Sequence, residues 1–575
     1  MNRPIRKVSV AVAVLFLALF VNLNVVQVVQ GSSYRDNSDN RRVLLNEYSH
    51  PRGQIVVDGT AVAQSRATPD ESLKYLRTYP QGPIYAPVTG SFSFIYGSSG
   101  IEEAENDVLS GDSPTLFTTN LASLLTGRDP RGGSVELTLN KAAQTAAYKA
   151  MRLSNGTYRP GAIVALDPST GAILAAVSTP SYDPTALSSH SSDEISHAAS
   201  CYNDLPSQNA GESDAKYKAR LQAEIVKREP SPTSKGCSDV PDDPTAFLKA
   251  NPTELGPLNN RAFKITYPPG SIFKVIVAAA ALRAGIKPDD QIFAPQYYWP
   301  DDAAATQKQT PCAANDTGPC IHNFTLSSGY REQCKNGSRS ATLDFALEKS
   351  CNTAFAALAV EKLGVAKIAA EAKLFGLDTA PLKIPLTTAG STIGDVSELG
   401  SDPVALAQSA FGQRNVAITP LQAAMISAAV AQNGTLYQPY LVKNTRRPNT
   451  SILDTTKPTQ LSQVIDPDLD SELVTMMENV VTGKEAGDDA TGKAAAITDL
   501  PNVVVGGKTG TADHQDANGK ALPAHSWFSG FALVKGSAKI AVAVILEDSD
   551  ATGGEDAAPK ARQVMEAYLR DVGTN

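Results

Sequence analysis

Histidine and cysteine are scarce in this chain of 575 residues, six of each, and neither a C-x-x-C pair nor an H-E-x-x-H pattern occurs. No metal site is therefore expected from ligand spacing, and nothing implies a cofactor. A basic excess is missing too: 51 Lys and Arg stand against 59 Asp and Glu, for a net charge of -8. Nucleic acid, whose phosphates demand clustered cations, is excluded as a partner. The charge-rich, apolar-poor signature of disorder is absent, since 42% of residues are hydrophobic and 19% charged. The length rules out a small staple-held scaffold and predicts two or three domains. No internal repeat is present. Without a G-x-S-x-G elbow, a Ser-His-Asp hydrolase is disfavoured, and His514 and His525 read as solvated residues of a polar loop.

One long hydrophobic run does occur. Arg3, Arg6 and Lys7 precede Val8 to Val21, in which Ser9 is the sole polar residue, and the run continues past Asn22, Asn24 and Gln27 to Val29. As a helix this stretch spans about 33 Å at ~1.5 Å per residue, enough for a bilayer core of about 30 Å. The three cations, with no acid before Asp36, predict a cytoplasmic amino terminus and a single-pass anchor with the catalytic part outside the cell membrane. A cleaved signal peptide is the alternative, with Val29-Gln30-Gly31 its weak cleavage site. Either compartment permits disulfides, and local pairing predicts Cys201 with Cys237, Cys312 with Cys320, and Cys334 with Cys351; free buried thiols are the competing reading.

Along the chain, residues 1–31 form the tip and anchor, 32–157 a mixed, extended domain, and 158–575 a larger domain. The latter opens with a hairpin at Ala162 to Val177 and carries a polar surface insertion at 189–250. Helical composition marks Leu139 to Leu153. Strands are predicted at Val503 to Thr511, Trp527 to Val534 and Ile540 to Leu546, then a helix at Pro559 to Leu569. Helices grouped before antiparallel strands indicate an α+β fold, an antiparallel sheet flanked by helices.

Three short motifs carry chemistry. Pro268-Pro269-Gly270-Ser271-Ile272-Phe273-Lys274 opens an apolar helix. The three-residue spacing lets Lys274 reach the Ser271 hydroxyl, and its apolar neighbours would desolvate the amine into a basic, neutral form. Ser213 to Lys216 has the same spacing in a charged helix. Ser350-Cys351-Asn352 supplies a hydroxyl for proton relay and an amide for a peptide bond; Ser38-Asp39-Asn40 and Ser207-Gln208-Asn209 match the pattern but precede Ser271. Gly506-Gly507-Lys508-Thr509-Gly510-Thr511 ends an apolar run, a strand edge able to dock an extended peptide. A P-loop would require glycine where Asn502 stands.

In this order, S-x-x-K, S-x-N and K-T-G, the chain resembles the penicillin-binding proteins. Gly412-Gln413, Thr419-Pro420-Leu421-Gln422 and Trp527-Phe528 extend the likeness. Arg52-Gly53-Gln54-Ile55, with Tyr79-Pro80 and Gly100-Ile101-Glu102, is similar to the pedestal of class B members, most like the actinobacterial penicillin-binding protein A group. The resemblance implies a serine D,D-transpeptidase with an extended amino-terminal pedestal. Its substrates would be peptidoglycan stem peptides ending in D-Ala-D-Ala, β-lactams its covalent inhibitors, and a membrane glycosyltransferase its partner. It also implies Ser271 as nucleophile, Lys274 as base, Ser350 as proton relay and Asn352 as peptide holder. Lys508 and Thr509 would face the terminal carboxylate on the strand with Gly510, and the N–H groups of Ser271 and Thr511 would form the oxyanion hole. A β-lactamase and a penicillin-sensing receptor are the rivals. Glu398, between the second and third motifs, reads as part of a polar loop rather than a deacylating base.

Overall fold

The structure is a computed structural model that describes residues 3–26, 47–70, 73–113, 131–154, 156–203, 209, 212–227, 237, 256–313, 318–324, 332–382, 384–515, 521–549 and 551–573. Helix α1 is Arg3–Asn24, and its stretch Arg6–Asn24 is exposed and is long and apolar enough to cross a membrane. The end of the run at Val29, the candidate cleavage site, Asp36 and the polar stretch from Ser32 to residue 46 lie outside the described residues.

Next come strands β1 (Ile55–Val57), β2 (Thr60–Ala67), β3 (Tyr75–Thr78) and β4 (Ser134–Leu137). Helix α2 (Lys141–Ala150) and the hairpin β5 (Gly161–Leu166) and β6 (Ile173–Thr179) follow. The helical part holds α3 (Lys274–Arg283), α4 (Leu343–Glu348), α5 (Asn352–Leu358) and α6 (Pro420–Ala431). Strands β7 (Val442–Arg446) and β8 (Ile452–Thr455) precede α7 (Pro467–Thr482). The chain ends in β9 (Val503–Ala512), β10 (His525–Val534), β11 (Ser537–Leu546) and α8 (Ala558–Val572).

Two sheets organise these elements. The larger domain is built on a five-stranded antiparallel sheet in the order β9-β10-β11-β5-β6. Successive side chains on a strand point to opposite faces. Accordingly, Ile163 and Ala165 of β5 and Phe528 and Ala532 of β10 pack with Ala143 and Ala147 of α2 and Ala561 and Met565 of α8. Their neighbours Ala162, Val164, Trp527 and Phe531 join the other core, with α3 and α6. Both faces are covered, which is why β5 and β6 read as unbroken apolar runs. Helix α6 starts with Thr419 accepting the Gln422 N–H and with Pro420 at its first turn, and it is buried along nearly its whole length.

The second sheet runs β8-β7-β4-β1-β2-β3, with β1 and β4 parallel and the remaining neighbours antiparallel. Two of its strands, β7 and β8, come from residues 442–455, while α2, just before residue 158, packs on the five-stranded sheet. The two sheets therefore exchange chain across the 157/158 position. The polar insertion also buries more than a surface segment would. Its helix Ser192–Tyr202 sets Ala198, Cys201 and Tyr202 against Ala86 and Tyr182, and the Cys201–Cys237 disulfide closes the cluster. Helix Asp214–Lys227 falls where composition placed it, and most of 228–250 lies outside the described residues. The other two disulfides join Cys312 to Cys320 and Cys334 to Cys351, as local pairing predicted.

The pedestal is locked by a buried ion cluster. Arg52 Nε donates to Glu102 Oε2 at 2.7 Å, Arg77 Nε to Oε1 at 2.6 Å, and the Tyr79 hydroxyl to Oε1 at 3.0 Å. Arg77 also donates to the Gly53 carbonyl at 2.7 Å. Two cations against one carboxylate hold Glu102 below the usual carboxylate range despite a desolvation that alone would raise it. Removing the shared partner leaves both guanidiniums buried without a counter-charge. Glu102→Ala is thus expected to destabilise the pedestal by about 3–5 kcal/mol. Denaturant unfolding of the purified protein checks this, and an unchanged midpoint would show the cluster to be dispensable.

Candidate active site

The Ser271 turn is pinned before the helix it opens. Residues Gly270–Phe273 form a 3-10 turn, and α3 proper starts at Lys274, one turn later than a helix opening at the serine would. Trp527 Nε1 donates to the Pro268 carbonyl at 3.0 Å, and the Gly270 N–H donates to the Gly412 carbonyl at 3.0 Å. Gly270 sits at φ 52, and a Cβ there would stand 2.5 Å from the Thr511 carbonyl oxygen; only glycine permits the turn to press on β9 this closely. The S-x-x-K turn and the K-T-G strand are thereby in contact. Strand β9 is the edge of its sheet, with β10 as its one strand neighbour.

Ser350 and Asn352 arrive from the other side. Ser350 adopts a left-handed φ of 62 between α4 and α5, a strained conformation for a residue with a Cβ. Its neighbour Cys351 is bridged to Cys334, so the motif loop is tied to the segment 332–340. The cleft between these pieces, about 750 Å³, is lined by Ser271, Ser350, Asn352, Thr509, Gly510 and Thr511, with Glu332, Asp489, Asp513 and Glu555 among its rim. Six of the eight expected site residues thus line one cleft, and the other two, Lys274 and Lys508, are fully buried and bond to Ser350 at its wall.

Its hydrogen bonds define the centre. Lys274 Nζ donates to the Ser350 carbonyl at 2.7 Å and to Asn352 Oδ1 at 2.7 Å, and lies 3.3 Å from Ser350 Oγ. Lys508 Nζ donates to the same Ser350 Oγ at 2.7 Å and to the Thr509 carbonyl at 3.0 Å. The three-residue spacing suggested that the Lys274 amine would turn to Ser271; its short bonds go instead to Ser350 and Asn352. A buried amine must satisfy its N–H groups, and two fixed oxygens do so better than a half-exposed hydroxyl. Asn352 Nδ2 donates to the His322 carbonyl at 3.2 Å, which leaves one amide N–H facing a ligand.

Electrostatics follow from burial. Lys274 and Lys508 are both fully buried. Desolvation, then the repulsion of Lys508, lowers Lys274 well below the usual lysine value, and desolvation pushes Lys508 down to about 7. Two ammonium groups cannot both persist around one hydroxyl, so the pair carries less than two charges near neutrality.

The competing motif matches do not reach the cleft. Ser213 and Lys216 are exposed on the insertion helix, while Ser38-Asp39-Asn40 and Ser207-Gln208 lie outside the described residues. Glu398 sits in the short helix Val396–Ser401, where Arg414 donates to it at 2.9 Å and Asn415 at 3.2 Å, and it is not among the residues lining the cleft. The expectation that His514 and His525 are solvated is corrected: His525 opens strand β10 and is buried, and His514 is half-buried against it. Burial of the strand start was hidden by the polar residues preceding it.

Comparison with known proteins places this geometry. A profile described as "Penicillin binding protein transpeptidase domain" matches residues 161–318 and 321–566, and one described as "Penicillin binding protein A dimerisation domain" matches 52–135. The chain is 39% identical over 580 residues to the peptidoglycan D,D-transpeptidase PbpA of Mycolicibacterium smegmatis, covering 99% of this chain and 100% of that one. It is 37% identical to the protein of the same name from Mycobacterium tuberculosis, covering 99% of each. Among solved structures, the ceftriaxone acyl-enzyme complex of penicillin-binding protein A from M. tuberculosis superposes with a TM-score of 0.72 at 35% identity, over 91% of this chain and 100% of that one. Its penicillin G acyl-enzyme complex gives 0.70 at 34%, with the same coverage.

The depressed lysines also tie stability to pH. Unfolded, Lys508 holds its proton up to about 10.4; folded, it releases it at about 7. Between those values the unfolded chain binds more protons, so stability rises with pH, by at most about 1.4 kcal/mol per pH unit for this group. Lys508→Met is expected to flatten the slope of unfolding free energy between pH 7 and pH 10, measured by denaturant titration. A slope identical to wild type would mean Lys508 is not depressed.

Proposed function

The chain belongs to the class B penicillin-binding proteins and is a peptidoglycan D,D-transpeptidase, and from that premise we propose how its residues divide the reaction. The observation that carries the proposal is the sharing of one hydroxyl, Ser350 Oγ, by two buried amines at the wall of the cleft that holds Ser271.

In its neutral form Lys274 has two N–H groups, matched by the Ser350 carbonyl and Asn352 Oδ1, and a lone pair left over. That lone pair takes the Ser271 proton as Oγ bonds to the carbonyl carbon of the penultimate D-Ala. The oxyanion is held by the N–H groups of Ser271 and Thr511, where one donor is worth about 100- to 1,000-fold in rate. The carbon–nitrogen bond then breaks, and the proton on Lys274 passes through Ser350 to the departing D-Ala amine. The acceptor stem's amine attacks the ester and its surplus proton returns to Ser271 by the reverse route. Lys508 and Thr509 receive the terminal carboxylate, whose charge draws the proton onto Lys508, and the donor peptide lies along β9 at Gly510 with its backbone held by Asn352. β-Lactams enter as donors and stop at the acyl-enzyme.

We also assign α1 as an uncleaved single-pass anchor that leaves the catalytic domain outside the cytoplasm, residues 32–157 as a pedestal for protein contacts, and a membrane glycosyltransferase as the source of the glycan strands. The length and apolar character of Arg6–Asn24 support the anchor.

The test is a penicillin adduct mapped by mass spectrometry. The adduct is expected on Ser271, persisting for many minutes, and absent in Ser271→Ala at an unchanged thermal midpoint. A peptide thioester ending like D-Ala-D-Ala should transfer its acyl group to an added D-amino acid. An adduct surviving the substitution sinks the assignment, and rapid penicillin turnover with no accumulating adduct would make the chain a β-lactamase.

A further inference from the structure

The end of β9, the start of β10 and the end of β11 bring together three side chains that transpeptidation does not use. His514 lies two residues past Ala512, His525 is the first residue of β10, and Asp548 lies two residues past Leu546. His514 Nε2 stands 2.7 Å from Asp548 Oδ1 and 2.9 Å from the Pro523 carbonyl oxygen. His525 Nδ1 is 3.9 Å from the same carboxylate oxygen and accepts the Asp548 backbone N–H at 3.3 Å. One ligand atom from each of the three side chains falls within 4.8 Å of the others. Asp548 is held at a left-handed φ of 47, and the two imidazole rings beside it stack with centroids 3.9 Å apart and planes 20° from parallel.

The donor set selects the ligand. Two imidazole nitrogens, a carboxylate oxygen and a backbone carbonyl oxygen suit a first-row divalent cation, zinc foremost, whereas calcium and magnesium prefer oxygen throughout. Tetrahedral zinc with bonds of about 2.0–2.2 Å sets its ligand atoms roughly 3.3 Å apart. The observed 2.7 and 3.9 Å bracket that spacing; to close the site the stacked rings turn toward one another and His525 Nδ1 exchanges the Asp548 N–H for the ion. Tyr267 lies edge-on to the His525 ring at 5.4 Å, and its hydroxyl donates to Glu547 at 2.5 Å, bracing the imidazole from behind.

We propose that His514, His525 and Asp548 form a zinc site that fastens the β9–β10 connection beside the catalytic cleft. The neighbouring Asp513 lines that cleft, and with its amide oxygen and nitrogen exchanged Gln413 accepts the Asp513 N–H at 3.0 Å and donates to its carbonyl at 3.3 Å. An ion here ties the segment after Thr511 to the ends of β10 and β11. It positions that segment and touches neither substrate nor Ser271.

The experiment uses the untagged full-length chain in detergent, stripped with chelator and dialysed against low-micromolar free zinc, with metal counted by mass spectrometry. One zinc per chain is expected for the wild type, with at least tenfold weaker binding in His514→Ala and Asp548→Asn. Zinc should raise the melting midpoint of the wild type and of neither variant, and cobalt(II) should give the visible bands of a four-coordinate nitrogen–oxygen site that both variants lose. His514→Gln, similar in size and polarity, replaces any variant that lacks a cooperative melt. Absence of stoichiometric zinc in the wild type, or binding that all folded variants retain, overturns the proposal.

Discussion

Everything around the cleft answers to one constraint: two lysine amines, both removed from water, share the hydroxyl of Ser350. Each amine loses hydration that an ammonium needs, and each repels the other's charge. The arrangement resolves this by letting a proton leave. In the roles proposed above, what remains is a base, Lys274, whose N–H groups are already spent on the Ser350 carbonyl and Asn352, and a cation site, Lys508, which burial lowers to about 7. A carboxylate-terminated donor therefore completes the site electrostatically as it binds, and a neutral ligand of the same shape would not.

Holding that geometry requires rigidity from three directions. The Ser271 turn is clamped to β9 through Gly270 and to β10 through Trp527, which fixes the proposed nucleophile against the strand proposed to take the substrate. Ser350 sits in a conformation that its own side chain disfavours, and the Cys334–Cys351 bridge, whose closed loop of 17 residues restricts the unfolded chain, helps maintain it. Beneath both, the five-stranded sheet is covered on each face by helices, which leaves β9 as the edge free to receive an extended peptide. Strain at Ser350 is thus set against packing that lies far from it.

Much of this was legible in the sequence. Motif order singled out Ser271, Ser350 and Lys508, and apolar runs bounded by turns located β5, β6 and the three final strands to within two or three residues, because run composition and turn chemistry are local properties. The disulfides followed from short separations. What sequence could not supply was long-range. Strands β7 and β8 join a sheet some 300 residues away because Glu136 of β4 accepts Asn444 at 3.0 Å and Arg446 at 2.8 Å, pairings no local pattern announces. The Lys274 amine's N–H groups go to Ser350 and Asn352 because of acceptors 76 and 78 residues on. His525 looked solvated because residues 513–520 are mostly polar, although the register of β10 buries it.

The same cleft also bears on why an acyl-enzyme would outlast water. Hydrolysis needs a base that fixes a water behind the ester, and four carboxylates line the cleft among the described residues. Glu555 is spent on helix capping, accepting the Thr552 N–H at 2.8 Å and its hydroxyl at 2.9 Å, and those bonds lower its pKa, which weakens it as a base. Asp489 is bound by Lys349 at 2.5 Å, and Glu332 shares the same ammonium at 3.7 Å. Asp513 is the exception: desolvation raises its pKa, and it lies on the segment after Thr511 rather than among the motif residues. Glu398, the one acid between the second and third motifs that sequence offered for the task, is spent on Arg414 and Asn415 away from the cleft. A peptide amine, delivered along a groove and nucleophilic without a dedicated base once deprotonated, faces no such deficit. The partition of the ester toward cross-linking rather than hydrolysis then follows from how the cleft's acids are engaged, a property of their partners rather than of their number.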